Sequence, residues 1–158
     1  MNSNLYEMPA SLTTQWSPAF SGDQAHSAQQ SDATTMRVLL AEDIRDNQIR
    51  ACELLSRWGI IPVIAGNGLR AVKIFQEQMF DLILMDISMP VMDGLEATMQ
   101  IRRKELAHPD RPRCPIVAYT SGGTANDRAL WQKIGMDAVL NKPSQPEQME
   151  ACLRQWCG

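Results

Sequence analysis

Asp81-Leu82-Ile83-Leu84-Met85-Asp86 decides how the whole chain is read. Its apolar centre is too short for a buried helix, does not alternate with polar residues, and is bounded by carboxylates. That pattern predicts a strand buried on both faces, the kind found in parallel sheets covered by helices. Working outward, similar runs recur. Arg37 to Ala41 (RVLLA) and Pro62 to Ala65 lie upstream, and Pro115 to Thr120 (PIVAYT) and Asp137 to Leu140 lie downstream. Amphipathic stretches fill the gaps. Asp46 to Trp58 carries Ala51, Leu54, Leu55 and Trp58 at i, i+3, i+4, i+7 and stops at Gly59. Leu69 to Gln78 follows the turn Gly66-Asn67-Gly68, with Val72, Phe75 and Met79 expected inward. Helices are further expected over Gly94 to about Leu106, Thr124 to Ile134 and Pro146 to Trp156, the last with Met149, Cys152, Leu153 and Trp156 on one face. Five β-α units joined by right-handed crossovers give a doubly wound α/β sheet. In such sheets functional groups gather at the carboxyl ends of the strands.

The ends of the strands carry the unusual side chains. The first ends in Ala41-Glu42-Asp43, the third in Asp86, the fourth in Thr120, and the fifth runs into Lys142-Pro143. Three carboxylates converging on one edge repel each other unless a cation intervenes. Mg²⁺, a hard cation that keeps several waters, suits such a set. It also screens a carboxylate so that an anionic phosphoryl donor can approach. Lys142 and the hydroxyl of Thr120 would then hold phosphate oxygens. Singly, each residue has a bland reading: Asp86 as a turn residue, Glu42 or Asp43 as a helix cap, Thr120 as a strand-end hydroxyl, Lys142 as a surface lysine. Jointly, at four strand ends, they describe a carboxylate phosphorylated in the presence of Mg²⁺.

Composition narrows the alternatives. The chain has 158 residues and a formal net charge of -3, the size of one domain with a tail. It lacks the clustered basic face that nucleic acid or a membrane surface would require. Arg102-Arg103-Lys104 is the one tight basic run and reads as the solvated end of a helix. Cys52, Cys114, Cys152 and Cys157 form no C-x-x-C pair and have no zinc-finger spacing to histidine. Cys52 and Cys152 fall on apolar helix stripes and read as core residues. No apolar run reaches membrane-spanning length and no signal peptide is visible, so a cytoplasmic location is the default expectation. Residues 1–35 are rich in Ser, Thr, Gln and Asn and read as a disordered leader or linker, with a docking peptide built on Trp16 and Phe20 as the sharper alternative. Residues 36–158 form the domain. Ala107 to Cys114 (AHPDRPRC) reads as a lengthened surface loop.

From Met36 to Gly158 the sequence resembles the receiver domain of two-component response regulators. The motifs that carry the resemblance are Val38-Leu39-Leu40-Ala41-Glu42-Asp43, Asp81 to Asp86, Met89-Pro90-Val91-Met92-Asp93-Gly94, Pro115 to Thr120, Gly135-Met136-Asp137 and Asn141-Lys142-Pro143. Asn47-Gln48 and Gly94-Leu95-Glu96-Ala97-Thr98 look most like receivers of hybrid histidine kinases and phosphorelays. The resemblance implies a flavodoxin-like (βα)5 sheet of strand order 2-1-3-4-5. It implies that Asp86 accepts a phosphoryl group from a phosphohistidine on a histidine kinase or histidine phosphotransfer domain. Asp43 would bind Mg²⁺ directly, Glu42 mainly through water, and Asp86 and the backbone carbonyl of Ser88 would complete the protein ligands. Thr120 and Lys142 would hold the phosphoryl oxygens, and the bond before Pro143 would be cis. The family often has an aromatic switch residue where this chain has Val139, which leaves Tyr119 or a smaller shift of the Thr120 loop to carry a signal. Nucleic acid and membrane are not expected partners.

Two other functions fit parts of the pattern. An aspartyl-phosphate phosphatase also uses a carboxylate, Mg²⁺, Thr and Lys, but it carries D-x-D after its first strand. Here the pattern is Asp86-Ile87-Ser88 on the third. A pseudo-receiver that binds partners without phosphorylation would not need the acidic set and Lys142. The polar leader leans toward a standalone regulator, and the kinase-like motifs toward a receiver of a hybrid kinase.

Overall fold

The computed structural model describes residues 36–156. The expected leader, with Trp16 and Phe20, and Cys157 lie outside the described residues. Ten elements alternate: β1 (Val38–Ala41), α1 (Arg45–Ser56), β2 (Val63–Ala65), α2 (Gly68–Glu77), β3 (Leu82–Met85), α3 (Gly94–Ala107), β4 (Ile116–Thr120), α4 (Ala125–Ile134), β5 (Ala138–Asn141) and α5 (Pro146–Trp156). The strands form one parallel sheet in the order β2-β1-β3-β4-β5. Every element expected from the sequence is present, with ends shifted by a residue or two, where helices fray and strands lose partners.

Side chains alternate across a strand, and here the alternation sorts two cores. Leu39, Ala41, Ile83, Met85, Ile116 and Ala118 pack with Val72 and Phe75 of α2, Ala97 and Ile101 of α3 and Trp131 of α4. Val38, Leu40, Leu82, Leu84, Val117, Tyr119 and Leu140 pack with Ala51 and Leu55 of α1 and Met149, Cys152 and Leu153 of α5. Burial on both faces explains the unbroken apolar runs. Each large side chain so buried contributes about 1.5–3 kcal/mol.

Local chemistry sets the helix starts. Asn67 accepts from the Arg70 N–H at 2.9 Å and Asp93 from the Glu96 N–H at 2.8 Å. Thr124 and Asp127 cap α4 reciprocally. The cap position of α1 is Ile44, which has no side chain to accept a bond and is 53% exposed.

Three expectations need correcting. Met79 does not point inward. Gln78 turns to extended backbone and ends α2 at Glu77, so Met79 leaves the helix face and is 43% exposed. Cys52 is only partly buried. Arg102 is not a solvated helix end. Its guanidinium donates to the Gly135 carbonyl from Nε and Nη2 (2.9 and 2.8 Å), to the Cys114 carbonyl (2.9 Å), and to Glu105 and Asp137 (2.7 and 2.9 Å). The stretch after α3 is an exposed loop, as expected, and Arg111 anchors it. Arg111 stacks 3.8 Å from the Phe75 ring centroid and donates to the carbonyls of Phe75 and Gln78, which α2 leaves free at its end.

Candidate functional site

The carboxyl end of the sheet gathers the acidic residues because of how adjacent strands leave it. The Glu42 N–H donates to the Ala65 carbonyl and the Asp86 N–H to the Ala41 carbonyl, each at 2.9 Å. β1 and β3 are neighbours, with Ala41 opposite Met85, so the residues that follow them emerge side by side. Glu42, Asp43 and Asp86 offer carboxylate oxygens within 4.8 Å of one another. Glu42 is fully buried, Asp86 is 5% exposed, and Asp43 faces solvent.

Lys142 enters from the far edge strand, β5. Its Nζ lies 2.6 Å from Glu42 Oε2 and 3.3 Å from Asp86 Oδ1. The other Glu42 oxygen accepts from the Ile44 N–H at 3.0 Å, so both of its oxygens are occupied. Gln48 donates to the Glu42 carbonyl at 2.7 Å and fixes the loop from the α1 side. Burial pushes the Asp86 carboxyl above the usual carboxylate range and the Glu42 charge adds to the rise, while the Lys142 ammonium opposes both. A buried carboxylate pair with one ammonium is short of positive charge. All three carboxylates supply hard oxygen donors, so the set fits a small divalent cation.

Thr120 ends β4, is 8% exposed, and its hydroxyl oxygen lies 3.4 Å from the Gly122 N–H. The Lys142 N–H donates to the Thr120 carbonyl at 2.8 Å, which ties the β4 and β5 exits together. The Lys142-Pro143 peptide is cis. Ser88 sits two residues beyond Asp86 on the exposed β3–α3 loop. Val139 is partly buried and packs on the α2–α4 side of the sheet. Tyr119 is 2% exposed in the opposite core, with its hydroxyl 3.3 Å from that of Ser144.

The site also depends on residues not singled out from the sequence. A Cβ on Gly94 would lie 1.9 Å from the Asp86 carbonyl oxygen, so only glycine lets α3 begin against the acidic loop. A Cβ on Gly68 would lie 2.4 Å from the Met92 carbonyl, which accepts from the Gly68 N–H. Both glycines stand inside recognised turn motifs, but only the packing shows why they are needed. Val91, 78% exposed in the same loop, holds a left-handed φ of 70°, an uncommon conformation for a β-branched residue.

No helix among the described residues is long and apolar enough to cross a membrane. The profile of the response regulator receiver domain matches residues 38–154. Among curated proteins, the sensor protein GacS of Pseudomonas syringae pv. syringae is 38% identical over 122 residues, covering 77% of this chain but 13% of GacS. The chain thus spans about an eighth of that relative's length. Among solved structures, the receiver domain of sensor histidine kinase PA1611 from Pseudomonas aeruginosa PAO1, which has a magnesium ion coordinated in its active-site cleft, superposes with a TM-score of 0.69. It is 33% identical and covers 77% of this chain and 97% of that one. The Saccharomyces cerevisiae complex of the histidine phosphotransfer protein Ypd1 with the receiver domain of Ssk1 gives a TM-score of 0.73 at 30% identity, covering 77% and 88%. The fold, the strand-end constellation and the matched profile agree: this chain belongs to the response regulator receiver domain family.

Proposed function

We propose that the domain is the phosphoacceptor of a two-component phosphorelay and that Asp86 is the residue phosphorylated. The observation that carries this is the meeting of three carboxylates, within 4.8 Å of one another, with the Lys142 ammonium 3.3 Å from Asp86. The donor is a phosphohistidine of a histidine kinase or histidine phosphotransfer domain. The P–N bond to imidazole breaks as a carboxylate oxygen of Asp86 bonds to phosphorus, and the histidine ring leaves. Mg²⁺ is the cofactor. Asp43 and Asp86 bind it directly with the carbonyl of Ser88. Glu42, whose oxygens are already engaged, acts through water. When bound, the ion neutralises charge on the transferring phosphoryl group. Thr120 and Lys142 hold its oxygens afterwards. For Lys142 this means giving up part of its bond to Glu42, so phosphorylation and the Glu42–Lys142 pair compete for one ammonium.

In this reading the domain receives and passes on phosphoryl groups in the cytoplasm and turns over no substrate of its own beyond slow loss of the phosphoryl group. The test is incubation with Mg²⁺ and acetyl phosphate, followed by intact mass. One phosphoryl group should add, and none in Asp86→Asn or with chelator. Labelling that persists in Asp86→Asn sinks the assignment.

A further inference from the structure

The outer face of α3 is amphipathic in an unusual sense. A groove of about 490 Å³ runs along α3 beside the end of α4, with Leu95, Met99 and Ile134 among its lining residues. Met99 is 39% exposed, and Leu130, one turn before Ile134, is 50% exposed. The groove carries Asp93 and Glu96 at the start of α3 and Arg103 two turns further along the same helix. Arg103 makes no ion pair among the described residues, and Glu96 receives only a long 3.4 Å bond from Gln100. Acid at one end, base at the other and apolar surface between them form a pattern complementary to its own reverse.

We infer that this α3 face pairs with the same face of a second copy across a two-fold axis. With two α3 helices antiparallel, the axis falls midway between positions 96 and 103, beside Met99. Glu96 of each copy then meets Arg103 of the other, twice by symmetry, as an isologous contact requires. Met99 of the two copies meets at the centre, where apolar contact is most protected. Antiparallel packing also sets the positive start of one helix against the negative end of the other. The pairing uses none of Glu42, Asp43, Asp86 or Lys142, so it does not depend on the phosphoacceptor reading.

The experiment is sedimentation equilibrium of the full chain over a wide concentration range, with circular dichroism to confirm folding of each variant. The wild type should show a reversible monomer–dimer equilibrium. Glu96→Arg and Arg103→Glu each turn two attractive contacts into two repulsive ones and should weaken association about tenfold or more. The double variant E96R/R103E restores both pairs in reversed polarity and should return to within about threefold of wild type. Met99→Lys places two like charges at the axis and should abolish the dimer. A wild type that stays monomeric at millimolar concentration overturns the proposal. So do single swaps without effect, or a double variant no better than the singles.

Discussion

Arg102→Ala is the substitution whose cost the structure fixes best. The Arg102 side chain is 13% exposed and makes five hydrogen bonds, four of which join α3 to the starts of β4 and β5. Removing it leaves Glu105 and Asp137 with side chains 7% and 12% exposed and without their shared cation. Each keeps one backbone donor, Cys114 N–H at 2.8 Å for Glu105 and Ile116 N–H at 2.8 Å for Asp137, so neither is wholly stranded. Arg113 still reaches Asp137 at 2.6 Å, but it is 54% exposed, and such a pair contributes no more than about 1 kcal/mol. Breaking a buried pair from one side costs about 3–5 kcal/mol, and the carbonyls of Gly135 and Cys114 lose donors in the same step. Against a typical total of about 5–15 kcal/mol, that is a third or more of the stability. Urea unfolding reads it directly. With a slope of about 1–3 kcal/mol per molar, the midpoint should fall by roughly 2 M. The control is an exposed lysine of α2, Lys73→Ala, which should shift stability by less than about 0.5 kcal/mol. A loss below about 1 kcal/mol for Arg102→Ala, or one equal to the control, refutes the argument that the guanidinium holds these elements together.

Other expectations follow from the site and its surroundings. Without metal, Asp86→Asn should raise the melting temperature at pH 7. The folded state holds the Asp86 carboxyl above its ordinary range, so its ionised form is a net cost at pH values above that range, and the cost disappears as pH falls and the group protonates. Saturating Mg²⁺ should reverse the order: at about 100 times Kd it adds about 2.7 kcal/mol, roughly 10 °C, to wild type. It should add much less to the variant, and equal shifts in both proteins would remove Asp86 from the ligand set. Ile44→Ser supplies the cap that α1 lacks and exposes less apolar surface, so it should stabilise by about 0.5–2 kcal/mol in urea, whereas a loss would show that Ile44 packs usefully. Burial pushes the Cys114 thiol up to about 12, so at pH 8 it stays protonated. Peptide mapping after brief treatment with an alkylating reagent should find Cys114 unmodified in the folded protein and modified in urea. Rapid native labelling of Cys114 would contradict its burial.

What could be read from the sequence follows from distance along the chain. Leu82 to Met85 announced a two-faced strand because burial on both faces forbids polar residues within the run. Glu42, Asp43, Asp86, Thr120 and Lys142 were legible because parallel strands all end on one edge, so chain order alone brings their ends together. Arg102 was not legible. In sequence it stands beside Arg103 and Lys104 like any helix-end cation, and the partners that set it apart, Gly135 and Asp137, are 33 and 35 residues away. Arg111 hid in the same manner: its acceptors, one in α2 and one just past its end, lie 36 and 33 residues earlier. Met79 was misplaced because its inward position assumed that α2 continued past Glu77. No capping or glycine signal marks the point where Gln78 turns extended.

The Glu42–Lys142 pair joins residues 100 positions apart. That span sets an order of events during synthesis. Asp86 leaves the ribosome 56 residues before Lys142 (142 - 86), an interval of roughly 3–11 s at about 5–20 residues per second. During it, the nascent chain carries the acid without the lysine, and α5 has not yet covered its side of the sheet. A chain cut short between α3 and β5 keeps Asp86 but lacks Lys142, the residue proposed to hold a phosphoryl oxygen. In the proposed reading, such truncated products would be poor acceptors and would draw few phosphoryl groups away from complete copies.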